Sequence, residues 1–398
     1  MVRPMKYAIV LPDGAADEPV GRLGGRTPLQ AAHKPNIDWV ARNGLQGCVV
    51  TVPTGFSAGS DVATLSLLGY DPRTNYAGRA PLEAAAQGIH LSADELVFRC
   101  NFVTIVDGAM EDFTAGHIGQ AEADRLIDDL NESVGDPSCR FHSGVSYRNL
   151  MVTSRCDGTG PQCTPPHDIP GQAVVSHLPR GPSAEWIRGV MERGRMVLAD
   201  HEVNQVRHDL GENQATDIWL WGQGPSASLE PFQTRHGVSS AVIAAVDLIR
   251  GIARCAGMTL LDVPGATGYL DTDYAAKGQA AVAALDSFDL VIVHVEAPDE
   301  AGHLGDADAK VAAIERIDEH IVGPVLRKLQ EFPEWRILIA PDHPTPVDRR
   351  VHTAAPPPYC IAGSGVAPAL GEAFSELAAA GGVCIDPGCD LIRHFLER

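Results

Sequence analysis

The chain has 398 residues, 44% of them hydrophobic and 21% charged, which is enough for a large core and, by length, for two domains. Its 31 Lys and Arg against 51 Asp and Glu give a formal net charge of −20, which speaks against nucleic acid as a partner, because binding a phosphate backbone needs clustered cations. A small anionic substrate, read by a few local arginines and metal ions, stays compatible with that charge. The nine cysteines are scattered and form no C-x-x-C pair; the odd count points to free thiols in a reducing cytoplasm. Met1-Val2-Arg3-Pro4 leads straight into a strand pattern with no apolar leader, and no apolar run is long enough to span a bilayer. The expectation is a cytoplasmic protein with no membrane partner.

In chain order, residues 6–11 form a first strand, and Asp13-Gly14 opens a Gly- and Pro-rich loop. Leu29 to Asn43 has a helical pattern, with Pro35 near its start or in a break, and Gln46 to Val52 reads as a strand. The loop Pro53 to Asp61 precedes a helical run from Val62 to Leu68, and a polar loop runs from Asp71 to Arg79. From about Leu96 the texture changes. LVFRCNFVTIV is a strand, Asp107-Gly108 a turn, Ala121 to Asn131 an amphipathic helix, Gly144 to Thr153 strand-like and Ala184 to Asp200 a helix. After about Thr216 a strand–helix rhythm returns. It comprises strand Asp217 to Trp221, a long helix Val238 to Ala256, strand Thr259 to Val263, helix Tyr274 to Leu285 and strand Leu290 to Val295. Helix Val311 to Gln330, strand Arg336 to Ala340 and, as the last core strand, Pro358 to Ala362 complete it. Such alternation implies an α/β fold, a mostly parallel sheet flanked by helices, with the middle portion as an inserted smaller α+β domain. The expected bounds are 1–86 and 212–398 for the core and 87–211 for the insert.

Three of the strand patterns end alike. Tyr7 to Leu11 runs into Pro12-Asp13, Leu290 to Val295 (broken only by His294) into Ala297-Pro298-Asp299, and Arg336 to Ala340 into Pro341-Asp342-His343. In parallel α/β sheets, ligands sit outside the carboxyl ends of the strands. Asp299 and His303 are four residues apart, a spacing that places a carboxylate and an imidazole on one helix face. With His343 and His352 nearby in sequence, these residues predict a two-metal site. Two divalent ions in one cleft polarise a phosphoryl group and lower the pKa of a hydroxyl. The best-placed hydroxyl is Ser60, at the start of a helix where free N–H groups favour an anion; Ser57 is its competitor, and Asp61 is expected to cap the helix.

At this level of detail the chain resembles the archaeal-type cofactor-independent phosphoglycerate mutases, of the alkaline phosphatase superfamily. The resemblance covers essentially the whole chain. It rests on PDGAAD (12–17), GSDVATLSLLGYDP (59–72), YAGRAPLEAAAQGI (76–89), TAGHI (114–118), SYRNLMV (146–152), PPHDIPG (165–171), IWLWGQG (218–224), DVPGATGYLDT (262–272), HVEAPDEAGH (294–303) and PDHPTP (341–346). It implies an alkaline-phosphatase-like fold and interconversion of 3- and 2-phosphoglycerate, a step of glycolysis and gluconeogenesis, through a phosphoserine at Ser60. It further implies one metal held by Asp299, His303 and His352, and another by Asp13, Asp342 and His343 with Ser60. Manganese is the family's usual ion, while magnesium, zinc or cobalt also suit such ligands. For the substrate's carboxylate and phosphate the candidates are Arg79, Arg148, Arg99 and His117, and the insert is expected to act as a lid. At His117 several family members read Ala-Gly-Arg. A homoserine kinase-like phosphotransferase of the same family, or a metal-dependent phosphomonoesterase, is the alternative.

Overall fold

A computed structural model describes residues 5–369 and 371–397, so the expectation for Met1-Val2-Arg3-Pro4 lies outside the described residues. Among the described residues thirteen strands run in chain order: β1 (Lys6–Pro12), β2 (Leu45–Val49), β3 (Leu96–Val106), β4 (Ala109–Asp112), β5 (Cys139–Val145), β6 (Arg148–Thr153), β7 (Asp217–Gly224), β8 (Ser240–Ile243), β9 (Thr259–Leu260), β10 (Leu290–Val295), β11 (Trp335–Ile339), β12 (Pro358–Gly363) and β13 (Val383–Ile385). The chain divides into two compact units, residues 5–76 with 228–397 and residues 77–227.

The first unit holds an eight-stranded sheet ordered β13-β2-β12-β11-β1-β10-β8-β9. The run β11-β1-β10-β8-β9 is parallel throughout, and only the pairs made by β12 are antiparallel. Every residue of β1 and β10 is buried. That is why these strands read as continuous apolar runs rather than as alternating ones. Successive side chains point to opposite faces. Ala8, Val10, Val291, Val293, Ile337 and Ile339 pack in one core with helices Pro35–Arg42, Tyr274–Ala284 and Gly323–Leu329. Tyr7, from the other face, meets Phe395 of helix Leu391–Leu396 edge-on at 5.4 Å. The strands that end in the three Pro-Asp sequences are immediate neighbours, with Pro12 in register with Val295 and Val10 with Ile339. Three aspartates therefore leave one edge of the sheet side by side.

The second unit is α+β. Its antiparallel strands run β4-β3-β6-β5, with β7 on the other side of β3. Helices Gln120–Ser133 and Ala184–Ala199 pack on them through Leu126, Ile127, Leu130, Ile187 and Val190.

The structure corrects several expectations. Helix Arg79–Ala86 and β7 belong to the second unit, so its limits fall at 77 and 227 rather than at 87 and 211. An apolar run such as IWLW announces burial, not the sheet it joins; β7 pairs antiparallel with β3 from Val97 to Val103. The long helix Val238 to Ala256 is instead β8 followed by helix Asp247–Cys255. The apolar residues of β8 are buried beside β10, and periodicity alone does not separate a buried strand from a buried helix. Leu29 to Asn43 splits at Pro35 into helices Pro28–Ala31 and Pro35–Arg42. Helix Val311 to Gln330 is interrupted by a π turn, Asp318–Val322, ahead of Pro324, whose missing N–H and ring disfavour regular α geometry. Gly144 to Thr153 is strand apart from the Ser146-Tyr147 turn that joins β5 to β6, and β13 follows β12 in the chain and pairs with β2 at the sheet edge. All nine cysteines are free thiols, and no described helix is long and apolar enough to cross a membrane.

Candidate metal centre

The site is built on the carboxyl edge of the parallel strands in the first unit. Asp13 follows β1 and Asp342 follows β11, and both are fully buried. Asp299 lies in helix Ala297–Leu304 directly after β10 and is 3% exposed. The structure brings the sequence-predicted ligands together in overlapping sets. The nearest ligand atoms of Asp13, Asp342 and His343 lie within 4.8 Å of one another, and so do those of Asp299, His343 and His352. His303 closes the second set, with Nε2 3.2 Å from Asp299 Oδ2 and 2.9 Å from His352 Nε2. His343 thus stands between the two sets, its ring centroid 4.1 Å from that of His352.

Three carboxylates this deeply buried are unstable without positive charge, since removing an isolated charge from water is very costly. The protonation tendencies reflect that. Burial and the charges of Asp342 and Asp299 push the Asp13 carboxyl well above its usual range. Burial would also raise Asp299, but hydrogen bonds from His303 and His352 hold it well below the usual carboxylate range. Burial pushes the His343 imidazole down, toward its neutral, ligating form. Asp13 Oδ1 and Asp342 Oδ2 are buried and make no hydrogen bond. Hard oxygen donors left unpartnered beside neutral imidazoles fit divalent cations.

Ser60 sits at the first position of helix Ser60–Leu67 and is 6% exposed. Its Oγ donates to Asp13 Oδ2 at 3.1 Å and lies 3.1 Å from His343 Nε2. Ser57, the competitor, is exposed in the preceding loop. Asp61 does not cap the helix; Gly59 holds the cap position, and Asp61 Oδ2 accepts the Tyr76 hydroxyl at 2.6 Å. The carboxylate lies two residues past the cap, in the first turn of the helix.

Two residues of the site are absent from the predicted set. His294 Nε2 lies 3.0 Å from Asp13 Oδ2, and Glu296 Oε2 3.7 Å from the same nitrogen, so Asp13, His294 and Glu296 form a third group of ligand-type atoms. Burial pushes the His294 imidazole down, and burial with the Asp13 charge pushes the Glu296 carboxyl well up. The signal was present: His294 is the single polar residue in an otherwise apolar strand.

With this geometry in view, comparison with known proteins is decisive. A family model described as 2,3-bisphosphoglycerate-independent phosphoglycerate mutase matches residues 41–204. A curated protein of that name from Methanothrix thermoacetophila is 51% identical over 394 residues, covering 98% of this chain and 100% of its own. The chain belongs to the 2,3-bisphosphoglycerate-independent phosphoglycerate mutase family. A Geobacter sulfurreducens relative, named a probable mutase of this kind, is 44% identical over 99% of this chain and 100% of its own. The solved cofactor-independent phosphoglycerate mutase of Thermoplasma acidophilum is 26% identical, covers 99% of each chain and superposes with a TM-score of 0.66. A Pyrococcus horikoshii structure covers 100% of this chain and 97% of its own with a TM-score of 0.83 at 29% identity.

In this mutase-family chain, the second unit carries the expected substrate cations. Arg99 is buried, paired with Glu83 at 2.9 Å and stacked 4.5 Å over the Trp221 ring. Burial, and after Glu83 the repelling charges of Arg79 and Arg148, hold its pKa below the usual guanidinium range, so three arginines converge. Arg148 lies 5.5 Å over the Tyr147 ring, and the His117 ring lies 6.2 Å from that same ring. His117 has φ +51°, part of a tight turn after Thr114.

Proposed function

We propose that this protein interconverts 3-phosphoglycerate and 2-phosphoglycerate without 2,3-bisphosphoglycerate, through a phosphoserine at Ser60. The names of the curated relatives support the reaction and substrate. The observation that carries the role of Ser60 is its hydroxyl held 3.1 Å from both Asp13 Oδ2 and His343 Nε2, within the ligand sets. Asp299, His303 and His352 would hold one divalent cation, and Asp13, Asp342 and His343, with Ser60, the other. Manganese is the expected ion, and oxygen with imidazole ligands also suits magnesium, zinc or cobalt. When bound, such cations neutralise phosphoryl charge and acidify a hydroxyl.

The chain's own residues do the rest. Asp13 Oδ2 accepts the Ser60 hydroxyl hydrogen and orients Oγ for in-line attack. The Oγ–phosphorus bond forms as the bond from phosphorus to the 3-oxygen of the substrate breaks. The proton given up by Ser60 balances the one gained by that oxygen. The free N–H groups at the start of helix Ser60–Leu67 favour the phosphoserine anion. After glycerate reorients, its 2-hydroxyl loses a proton and takes the phosphoryl group back, and Ser60 regains its hydroxyl. Arg79, Arg99, Arg148 and His117 are the groups assigned to the substrate's carboxylate and phosphate, for which guanidinium forks are suited. The second unit, residues 77–227, is on this reading the substrate-binding part.

The test is an enolase-coupled assay on protein stripped of metal and reloaded with manganese, given 3-phosphoglycerate and no bisphosphoglycerate. Turnover that disappears in Ser60→Ala is expected. Metal-loaded protein without turnover, but active on homoserine with ATP, would overturn the mutase reading.

A further inference from the structure

Thr345 is fully buried in the loop after β11, two residues beyond His343. Its hydroxyl touches one member of each ligand set. Oγ1 donates to Asp299 Oδ1, and it lies 3.3 Å from His343 Nδ1. A hydroxyl has one hydrogen. As a cation ligand Asp299 is a carboxylate that accepts only, so that hydrogen goes to it. Toward His343 the hydroxyl oxygen is left to accept, and Nδ1 must then carry the ring proton. The remaining ring nitrogen, Nε2, faces acceptors only, namely Ser60 Oγ at 3.1 Å, whose hydrogen goes to Asp13, and Asp13 Oδ1 and Asp342 Oδ2 at 3.5 Å, so its lone pair is left for a cation held among them. The order is His343 Nδ1–H to Thr345 Oγ1, then Thr345 O–H to Asp299.

The loop that carries this hydroxyl has little room to shift. Lys310 Nζ donates to the Thr345 carbonyl at 2.8 Å and is itself ion-paired with buried Asp17 at 2.7 Å. Helix Ala297–Leu304, which carries Asp299 and His303, lies flush against it; a Cβ on Gly302 would be 2.4 Å from the Thr345 carbonyl oxygen. A cation that draws Asp299 toward itself therefore acts on Thr345, and through it on the orientation of His343.

We propose that Thr345 is a positioning residue that fixes the ligating tautomer of His343 and couples the two cation-binding sets, so that filling one set prepares the other. This rests on the two-cation reading above. Removing a hydrogen-bond partner of a metal ligand typically costs on the order of 10–100-fold in metal affinity. Titration calorimetry of the metal-stripped full chain with manganese should show two ions bound by wild type. Thr345→Val, equal in shape but without the hydroxyl, should bind the weaker of the two at least about tenfold less tightly. Thr345→Ser should restore it. Nitrogen-15 NMR of labelled histidine in the wild-type protein should find His343 protonated on Nδ1, and the valine variant should lose that preference. Two ions bound by Thr345→Val with unchanged affinities would overturn the coupling. A wild-type His343 protonated on Nε2 would overturn the tautomer assignment without recourse to any variant. Fewer than two ions in wild type would instead overturn the two-cation reading, and the coupling with it.

Discussion

Gly14 and Asp299 are in direct contact across the carboxyl edge of the sheet: a Cβ built on Gly14 would lie 2.5 Å from Asp299 Oδ1 and 2.7 Å from its Cα. Gly14 also has φ +62° and donates its N–H to Asp342 Oδ1 at 3.1 Å. One residue thus carries the turn out of β1 and spaces the two aspartates that follow the strands on either side of it. Gly14→Ala forces a left-handed conformation on an L-residue, at a cost of roughly 1–2 kcal/mol. It also displaces Asp299, because the atoms in the way include backbone. The expected result is a lower melting temperature and manganese affinity weakened by more than about tenfold, since ligand misplacement is felt in binding. Calorimetry on the stripped variant checks it, and wild-type affinity would show that the contact is slack.

Ser60→Ala separates chemistry from architecture. Ser60 donates one hydrogen bond and packs no large side chain, so its loss should change unfolding free energy by only about 1 kcal/mol. Mutase turnover should fall by at least about 1,000-fold, because a removed nucleophile leaves no equivalent path. Acid-quenched wild type incubated with substrate should carry phosphate on the peptide containing Ser60, and the variant should carry none. Label found on another residue of the variant would relocate the nucleophile.

The parts of this site that could be read from sequence are those set by local chain chemistry. Asp13, Asp299 and Asp342 announce themselves because each follows a buried strand and a proline. Their adjacency required only that the three strands be parallel neighbours, as β11-β1-β10 are. The placement of β7 and β8 was not legible, since an apolar run signals burial without naming the sheet or even the period that buries it. His294 was visible as an interruption of β10, but its partner Asp13 lies 281 positions away in the chain. Thr345 and Lys310 had no local signature. Their roles come from atoms of Asp299, Asp17 and Ala16 that only the folded chain assembles.

The stripped protein should lose stability in mildly alkaline solution. Burial alone would lower the His303 pKa, but the hydrogen bond and charge of Asp299 raise it to about 9. An unfolded histidine titrates near 6.5. The folded state therefore holds this proton more tightly, and the stabilisation is complete below about pH 6.5 and lost as pH rises through about 9. Asp13, raised by burial and by Asp342 and Asp299, acts with the same sign. Cations must displace those protons, so manganese affinity should rise over the window in which the stripped protein weakens. Melting temperatures from pH 6 to 10, with and without chelator, check this. A chelated protein whose melting temperature is flat across that range, or an identical fall in His303→Ala, would count against it.

Lys310 and Asp17 form a buried ion pair, with side chains 0% and 1% exposed, beneath the loop that carries Thr345. Burial pushes the Asp17 carboxyl up and the Lys310 ammonium down, so each is tolerated only by virtue of the other. Lys310→Met leaves the buried carboxylate without its cation, held by the Val347 and Glu18 N–H groups. Breaking such a pair from one side costs about 3–5 kcal/mol. The double variant Lys310→Met with Asp17→Asn removes the orphaned charge and should recover at least half of that loss, while the Thr345 carbonyl still lacks its donor. Urea unfolding of the two single variants and the double gives the coupling directly. If the double variant is stable but binds manganese more weakly than wild type, the pair is needed to hold the ligand-bearing loop in place as well as to fold it; a double variant with wild-type affinity would confine the pair to stability alone.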